Sequence, residues 1–153
     1  MSVPIEAPRH IVAASALVRN NIGQILLVRT RRRGWEIPGG QIEIGESLIG
    51  GLKREVREES GVQVEIGRLA ALRSNLTSSI VIFCFEARYL AGELRPSEET
   101  PQVKWVSAAR ALDMISHPAI LQSLQDMLAG APDVIYRAYR ADPYQLVERH
   151  APH

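Results

Sequence analysis

Three glutamates, Glu55, Glu58 and Glu59, constrain this chain more than anything else in it, because their spacing is unfavourable for a helix that has only itself to stabilise. They lie in the stretch GQIEIGESLIGGLKREVREESGV, residues 40–62. At about 100° per residue, a helix over 46–60 puts Leu48, Ile49, Leu52 and Val56 on one arc and the three acids on an arc beside it, with Lys53, Arg54 and Arg57 on the far side. An amphipathic helix with a solvated charged face is the ordinary reading of such a pattern. Here, however, Glu55 with Glu59 and Lys53 with Arg57 are like charges at i,i+4, and Glu55 with Glu58 at i,i+3, each pair repelling by roughly 0.2–0.5 kcal/mol. The attractive pair, Arg54 with Glu58, runs in the poorer order. All three acids also crowd the last turns before Gly61, an expected αL C-cap, where the helix macrodipole disfavours negative charge by roughly 0.3–1 kcal/mol apiece. Such a helix makes sense with a cation between its carboxylates.

The donor set narrows the cation. Carboxylates without histidine or cysteine are hard oxygen ligands, suited to Mg²⁺ or Mn²⁺ far better than to Zn²⁺. Mg²⁺ held this way usually shares its coordination with substrate phosphates.

Gly40, Glu46, Arg54, Glu55, Val56, Glu58, Glu59, Gly61 and Val62 stand at the spacing G-x5-E-x7-R-E-U-x-E-E-x-G-U, with U aliphatic. At every fixed position this resembles the Nudix box. The resemblance extends to the lead-in Trp35-Glu36-Ile37-Pro38-Gly39-Gly40 and to Trp105 after a late acidic loop, and covers residues 9–129. It implies a Nudix hydrolase: an α/β/α sandwich around a mixed β-sheet, with the box helix on one face and the C-terminal helices on the other. It implies Mg²⁺, or Mn²⁺, held by Glu55, Glu58, Glu59 and the carbonyl of Gly39, with Glu46 and Arg54 bracing loop against helix. Glu99, six residues before Trp105, stands where the family often places a further acid, with Glu98 adjacent. Either Glu55 or Glu99 then takes the proton of the attacking water.

The reaction so implied is cleavage of a nucleoside diphosphate linked to another group. The side-signatures of NADH-specific and ADP-ribose-specific relatives are not evident after Val62, which tilts the expectation toward a nucleoside triphosphate. A nucleotide sugar such as ADP-ribose is the alternative. A non-hydrolytic nucleotide sensor is a further one, and the intact box argues against it.

Composition bounds the rest. The chain has 153 residues, 46% of them hydrophobic and 23% charged, an ordinary balance for one globular domain. A net charge of +1 argues against a protein that coats nucleic acid. The charge is uneven, however: Arg29, Arg31, Arg32 and Arg33 precede the acidic box. Adjacent cations beside Gly34 require a loop, which reads either as a solvated turn or as a phosphate clamp through Arg31 and Arg33. Trp35 reads as a core residue or a stacking platform for a base, and as the only aromatic near the patch it gives nucleic acid little to stack on. Cys84 is the only cysteine and lies in an apolar run, so no intrachain disulfide forms. No apolar run approaches the roughly 20 residues of a membrane span, and the N-terminus lacks a hydrophobic signal core, so the cytoplasm is the expected compartment.

The remaining elements follow in order. Residues 1–8 read as a loose lead-in, 9–130 as the domain, and 131–153 as an extension that packs on the core, lines the pocket or forms the edge of a homodimer. Residues 10–19 and 24–30 read as a hairpin around Asn20-Asn21-Ile22-Gly23, and 35–37 as a short strand ending at Pro38-Gly39-Gly40. Residues 63–74, 79–90 and 103–107 read as strands, and 108–114 and 117–128 as helices, with His117 before Pro118 marking a helix start. Gly50 and Gly51 inside the box helix cost roughly 2 kcal/mol relative to alanine, which reflects either a closely approaching loop or drift without consequence.

Overall fold

The computed structural model describes residues 6–152, so most of the expected lead-in lies outside the described residues. The first strand, β1 (Ile11–Arg19), is followed by a turn and β2 (Ile25–Thr30). Asn20 builds the turn: its Oδ1 accepts from the N–H of Ile22 at 3.2 Å and of Gln24 at 2.9 Å. The expected hairpin is nevertheless corrected, because β1 and β2 pair only at Arg19 and Ile25 and then part. Residues 14–18 and 25–28 are buried on both faces, without the alternation of a hairpin exposed on one side, so each strand takes partners along both edges.

Those partners assemble one mixed sheet. After β2 come β3 (Gly34–Glu36), β4 (Gly39–Gln41), helix α1 (Leu48–Ser60), β5 (Gln63–Asn75) and β6 (Ile80–Ala91). Then follow β7 (Gln102–Val106), α2 (Ala108–Met114), α3 (Pro118–Leu128), β8 (Ile135–Arg140) and β9 (Gln145–His150). The order across the sheet is β3-β2-β1-β6-β5-β8-β9, with β4 also pairing β1 and β7 pairing β2. β1 runs parallel to β6 and β5 parallel to β8, while β5 and β6 form a long antiparallel ladder.

Two apolar layers hold the sheet between helices, so the architecture is the expected α/β/α sandwich. Leu52 and Val56 of α1 pack on Ala14, Ala16, Val18 and Leu26. On the opposite face Ile120, Leu124 and Met127 of α3 pack with Leu17, Leu27, Ile82 and Cys84. Burial of such side chains, at about 25 cal/mol per Å² of apolar surface, is the main favourable term in a fold of this kind. Among the described residues no helix is long and apolar enough to cross a membrane.

Local signals set the ends of α1. Ser47 caps its N-terminus, accepting from the Gly50 N–H at 2.9 Å, and Gly61 ends it in the left-handed region at φ 82°. Ile49, expected on the buried arc, is 38% exposed. One of the paired glycines has a steric reason: a Cβ on Gly51 would stand 2.8 Å from Ile42 Cδ1 and 3.1 Å from Glu46 Oε1, so the loop before the helix lies directly on it, whereas Gly50 is exposed and faces only the Ser47 hydroxyl.

The end of the chain joins the sheet. Arg137 of β8 makes a bidentate ion pair with Asp126 of α3, at 2.7 and 3.0 Å, and within the 131–153 extension residues 145–150 form the exposed edge strand β9.

Candidate active site

Box helix and strand β4 meet through glycine. β4 pairs antiparallel with β1, setting Gly40 opposite Ala14 and Gly39 opposite Ser15. The Glu59 side chain, only 7% exposed, accepts the Gly39 N–H at 2.8 Å. The Glu55 carboxylate lies so close to Gly40 that a Cβ there would stand 2.5 Å from its carboxyl carbon. Strand and helix can approach this closely because neither glycine carries a side chain, and a Cβ on Gly39 would overlap the Ala14 carbonyl oxygen. Gly40→Ala is therefore expected to displace the Glu55 carboxylate and lower kcat/KM by about tenfold or more while the protein still folds. Steady-state kinetics beside a melting curve check this, and unchanged kcat/KM would remove Glu55 from the site.

Arg54 organises the acids around it. Its Nε and Nη2 donate to Glu46 at 2.7 and 2.8 Å, its Nη1 to Glu55 and Glu58 at 3.1 Å each, and its Nη2 reaches the Gln41 carbonyl at 3.3 Å. The guanidinium hydrogen-bonded to Glu46 holds that carboxyl down at about 2. Burial acts oppositely on the other acids. It pushes Glu55 above its ordinary value against the pull of Arg54, with Glu58 and Glu99 adding like charge, and it pushes Glu59 to about 8 despite the Gly39 hydrogen bond.

The late acidic loop is tied to the end of α1. The Arg95 N–H donates to the Ser60 carbonyl at 2.8 Å, and the fully buried Thr100 hydroxyl to that of Glu59 at 2.7 Å. Glu98 and Glu99 are both exposed on this loop, and Glu99 is the one whose charge reaches Glu55. Arg31 Nε approaches the Glu98 carbonyl at 3.4 Å. Thr100 passed unnoticed in the sequence because a lone threonine between prolines carries no periodic signal.

A cavity of about 240 Å³ opens on the α3 side of β4. Gly39, Gly40 and Gln41 form one wall, and β1, β6, β5 and β8 supply a floor that includes Ser15, Ile82, Arg73 and Tyr139. His117 and Ile120 close it at the start of α3. Arg33 also lines it, but its Nε and Nη2 are taken by the buried Glu36 at 2.7 and 3.0 Å. Trp35 lies elsewhere, packed against the α3-side core with Lys104 Nζ 5.6 Å from its ring centroid.

Glu36, Arg73 and Ser15 were missed in the sequence, whereas Tyr139 belongs to the extension 131–153, for which lining the pocket was one of the expected roles. A charged or polar residue on the inward phase of an apolar strand was the available signal, clearest at Arg73, two residues from the buried Ala71. His117 is the N-cap of α3, as its position before Pro118 suggests, and its ring faces the cavity as well.

The chemistry of the acids suits a hard divalent cation. Burial raises the pKa of both Glu55 and Glu59, with Glu58 and Glu99 adding like charge at Glu55 and Glu55 adding it at Glu59, the condition that such a cation relieves. Glu58 is 58% exposed at its side chain and shares Arg54 with Glu55. Among the described residues no group of three or more acidic, histidine or cysteine side chains is already gathered as a metal site. Glu58 would therefore have to exchange Arg54 for the cation.

Comparison with known proteins adds four findings. A family profile described as NUDIX domain matches residues 9–126. A MutT-like protein of Streptomyces ambofaciens is 32% identical over 138 residues, spanning 88% of this chain and 90% of the relative. A NUDIX hydrolase from Nitrosomonas europaea shares the fold, with a TM-score of 0.77 at 24% identity over 90% of this chain and 82% of that one. An ADP-ribose pyrophosphatase from Streptococcus suis shares it too, with a TM-score of 0.63 at 24% identity over 85% of this chain and 99% of that one.

Proposed function

The chain belongs to the Nudix hydrolase family, enzymes of phosphoanhydride bonds, and on that premise we propose that it is a Mg²⁺-dependent pyrophosphohydrolase of a nucleoside triphosphate. One observation carries this reading: β4 has the carboxylates of Glu55 and Glu59 against it on the α1 side and the cavity on the α3 side. A base in the cavity would leave its phosphates beside Gly39 and Gly40, within reach of the acids.

The roles follow from this placement. Glu55, Glu58 and Glu59, with the Gly39 carbonyl, are the groups to hold the cation. A bound Mg²⁺ neutralises charge on the diphosphate and lowers the pKa of water. Glu55 or Glu99 accepts the proton of the attacking water. Arg54 keeps the acids in place through its contacts with Glu46, Glu55 and Glu58. Arg31 and Arg33 lie on the turn before β3; Arg31 is the one to receive distal phosphates, from the side of the acidic loop, whereas Arg33 has only its Nη1 outside the Glu36 ion pair to offer. Trp35 acts by fixing that turn on the core.

The test is release of phosphate or pyrophosphate from nucleoside triphosphates, dinucleotides and nucleotide sugars, with Mg²⁺, Mn²⁺ or chelator. Turnover of a triphosphate that chelator abolishes is the expected result. Turnover confined to nucleotide sugars would reassign the substrate, and tight binding without turnover would make the chain a sensor.

A further inference from the structure

The loop that carries Glu98 and Glu99 is fastened to the box helix at several points. Two tethers end on the last carbonyls of α1, groups that a helix leaves without partners of its own: the Arg95 N–H reaches that of Ser60 and the Thr100 hydroxyl that of Glu59. The chain leading into the loop lies directly on the helix end. A Cβ on Gly61 would stand 2.5 Å from the Glu93 carbonyl oxygen, and one on Gly92 would overlap the Gly61 carbonyl oxygen.

Thr100 is the centre of this fastening. It is fully buried, and its one hydroxyl proton is committed to the Glu59 carbonyl, so the Ser97 hydroxyl, 2.6 Å from Thr100 Oγ1, is the donor in that pair. Ser97 Oγ in turn accepts the Thr100 N–H at 3.1 Å, and the Thr100 carbonyl accepts the Ser97 N–H at 3.0 Å. Every polar group of Thr100 is thereby used. The bonds close the turn Ser97-Glu98-Glu99-Thr100 and tie it to the backbone of a box glutamate.

Capping the helix explains the tethers but not the charges between them. A helix C-terminus favours cations nearby and disfavours acids. Yet Glu98 and Glu99 stand between the tethers, and the Glu99 charge is close enough to act on Glu55. Buried hydrogen bonds therefore hold an acid against other acids, an arrangement that a divalent cation among them would reward.

We propose that Thr100 is a positioning residue: through its bond to the Glu59 carbonyl it holds the acidic loop on the box helix, so that Glu99 adds its charge to the site the box carboxylates make for a divalent cation. The inference rests on the reading that those carboxylates hold such a cation, and it is independent of the substrate.

Mn²⁺ binding to the full chain without nucleotide, read from the free-ion signal in electron paramagnetic resonance, tests this without turnover. Glu99→Gln should weaken binding about tenfold, and Thr100→Val, which keeps the branched shape and removes the hydroxyl, should weaken it by a similar factor. The double variant should bind no more weakly than Glu99→Gln alone, since a residue that acts through Glu99 then has nothing left to position. A merely structural loss would instead add equally in both backgrounds. Thr100→Ser, which keeps the hydroxyl, should bind within about twofold of the wild type. Ser97→Ala removes the donor to Thr100 Oγ1 and the acceptor of its N–H, and it serves in the same cycle if Thr100→Val does not fold. This pattern without turnover of any nucleotide supports the inference while the hydrolase reading fails. Wild-type affinity in Glu99→Gln or in whichever of Thr100→Val and Ser97→Ala folds, or equal weakening with and without the Glu99 carboxylate, overturns the inference and leaves the hydrolase reading standing. A wild type that binds no Mn²⁺ overturns both.

Discussion

Glu58→Gln is expected to lower Mg²⁺-dependent turnover by about 10³-fold, the equivalent of about 4 kcal/mol of transition-state stabilisation. The substitution keeps the shape of the side chain and an oxygen for Arg54 Nη1, now 3.1 Å away, and removes only the negative charge. Because the side chain is 58% exposed, its effect on folding is that of a surface change, within about 0.5 kcal/mol, and the melting temperature should move by about 2 °C or less. Loss of turnover at constant stability separates a role in holding the cation from a role in holding the helix. Near-normal turnover at saturating Mg²⁺ would remove Glu58 from the ligand set. Partial recovery at high Mn²⁺ would be consistent with a weakened site of otherwise intact geometry.

Glu59→Gln should have a comparable kinetic effect and the opposite signature in stability. Burial raises the folded-state pKa of Glu59 from 4.5 to about 8. Between those values the folded protein holds a proton that the unfolded chain releases. The stabilisation linked to this group is therefore complete below pH 4.5, declines as pH rises, and is lost by pH values above about 8. Glutamine does not titrate, and its Oε1 can keep the Gly39 hydrogen bond. The variant without metal should show a flatter dependence of melting temperature on pH over this window than the wild type, while metal-dependent hydrolysis falls by about 10²-fold or more. Calorimetric scans in chelator from pH 5 to 9 read this directly. A wild-type slope that persists in the variant would mean that Glu59 is not the group responsible. The two substitutions together test whether the acids are kept for a cation or for the helix, since Glu58 costs the fold little and Glu59 burdens it.

The box helix was legible in the sequence through its apolar arc and its cap at Gly61, while its start, read at residue 46, lies at Leu48 behind the Ser47 cap. Ser47, the apolar residues Leu52 and Val56, and Gly61 act over three or four positions, within the reach of local hydrogen bonds and helical periodicity. The brace of Glu46 on Arg54 was legible too, through the resemblance rather than through charge spacing, because the residues lie eight apart and meet only when the loop folds back. Gly51 shows the limit of local reasoning. It is costly in an isolated helix and favoured by the close approach of Ile42 and Glu46, which the helix alone does not contain.

The hairpin misreading has the same origin. Asn20 and Gly23 do make the turn, but which strand pairs with which is decided by burial on both faces of β1 and β2, and that depends on strands far along the chain. The amino-acid sequence by itself determined the acidic helix, its caps, the hard-ligand chemistry of its glutamates and the number of apolar runs available to a sheet. Only the tertiary structure decided that Ser15, Arg73, His117 and Tyr139 share one cavity, and that β4 stands between this cavity and the carboxylates. The reason is physical: helix and turn signals are written in neighbouring residues, whereas a site formed across four strands depends on pairing and register, which are properties of the whole sheet.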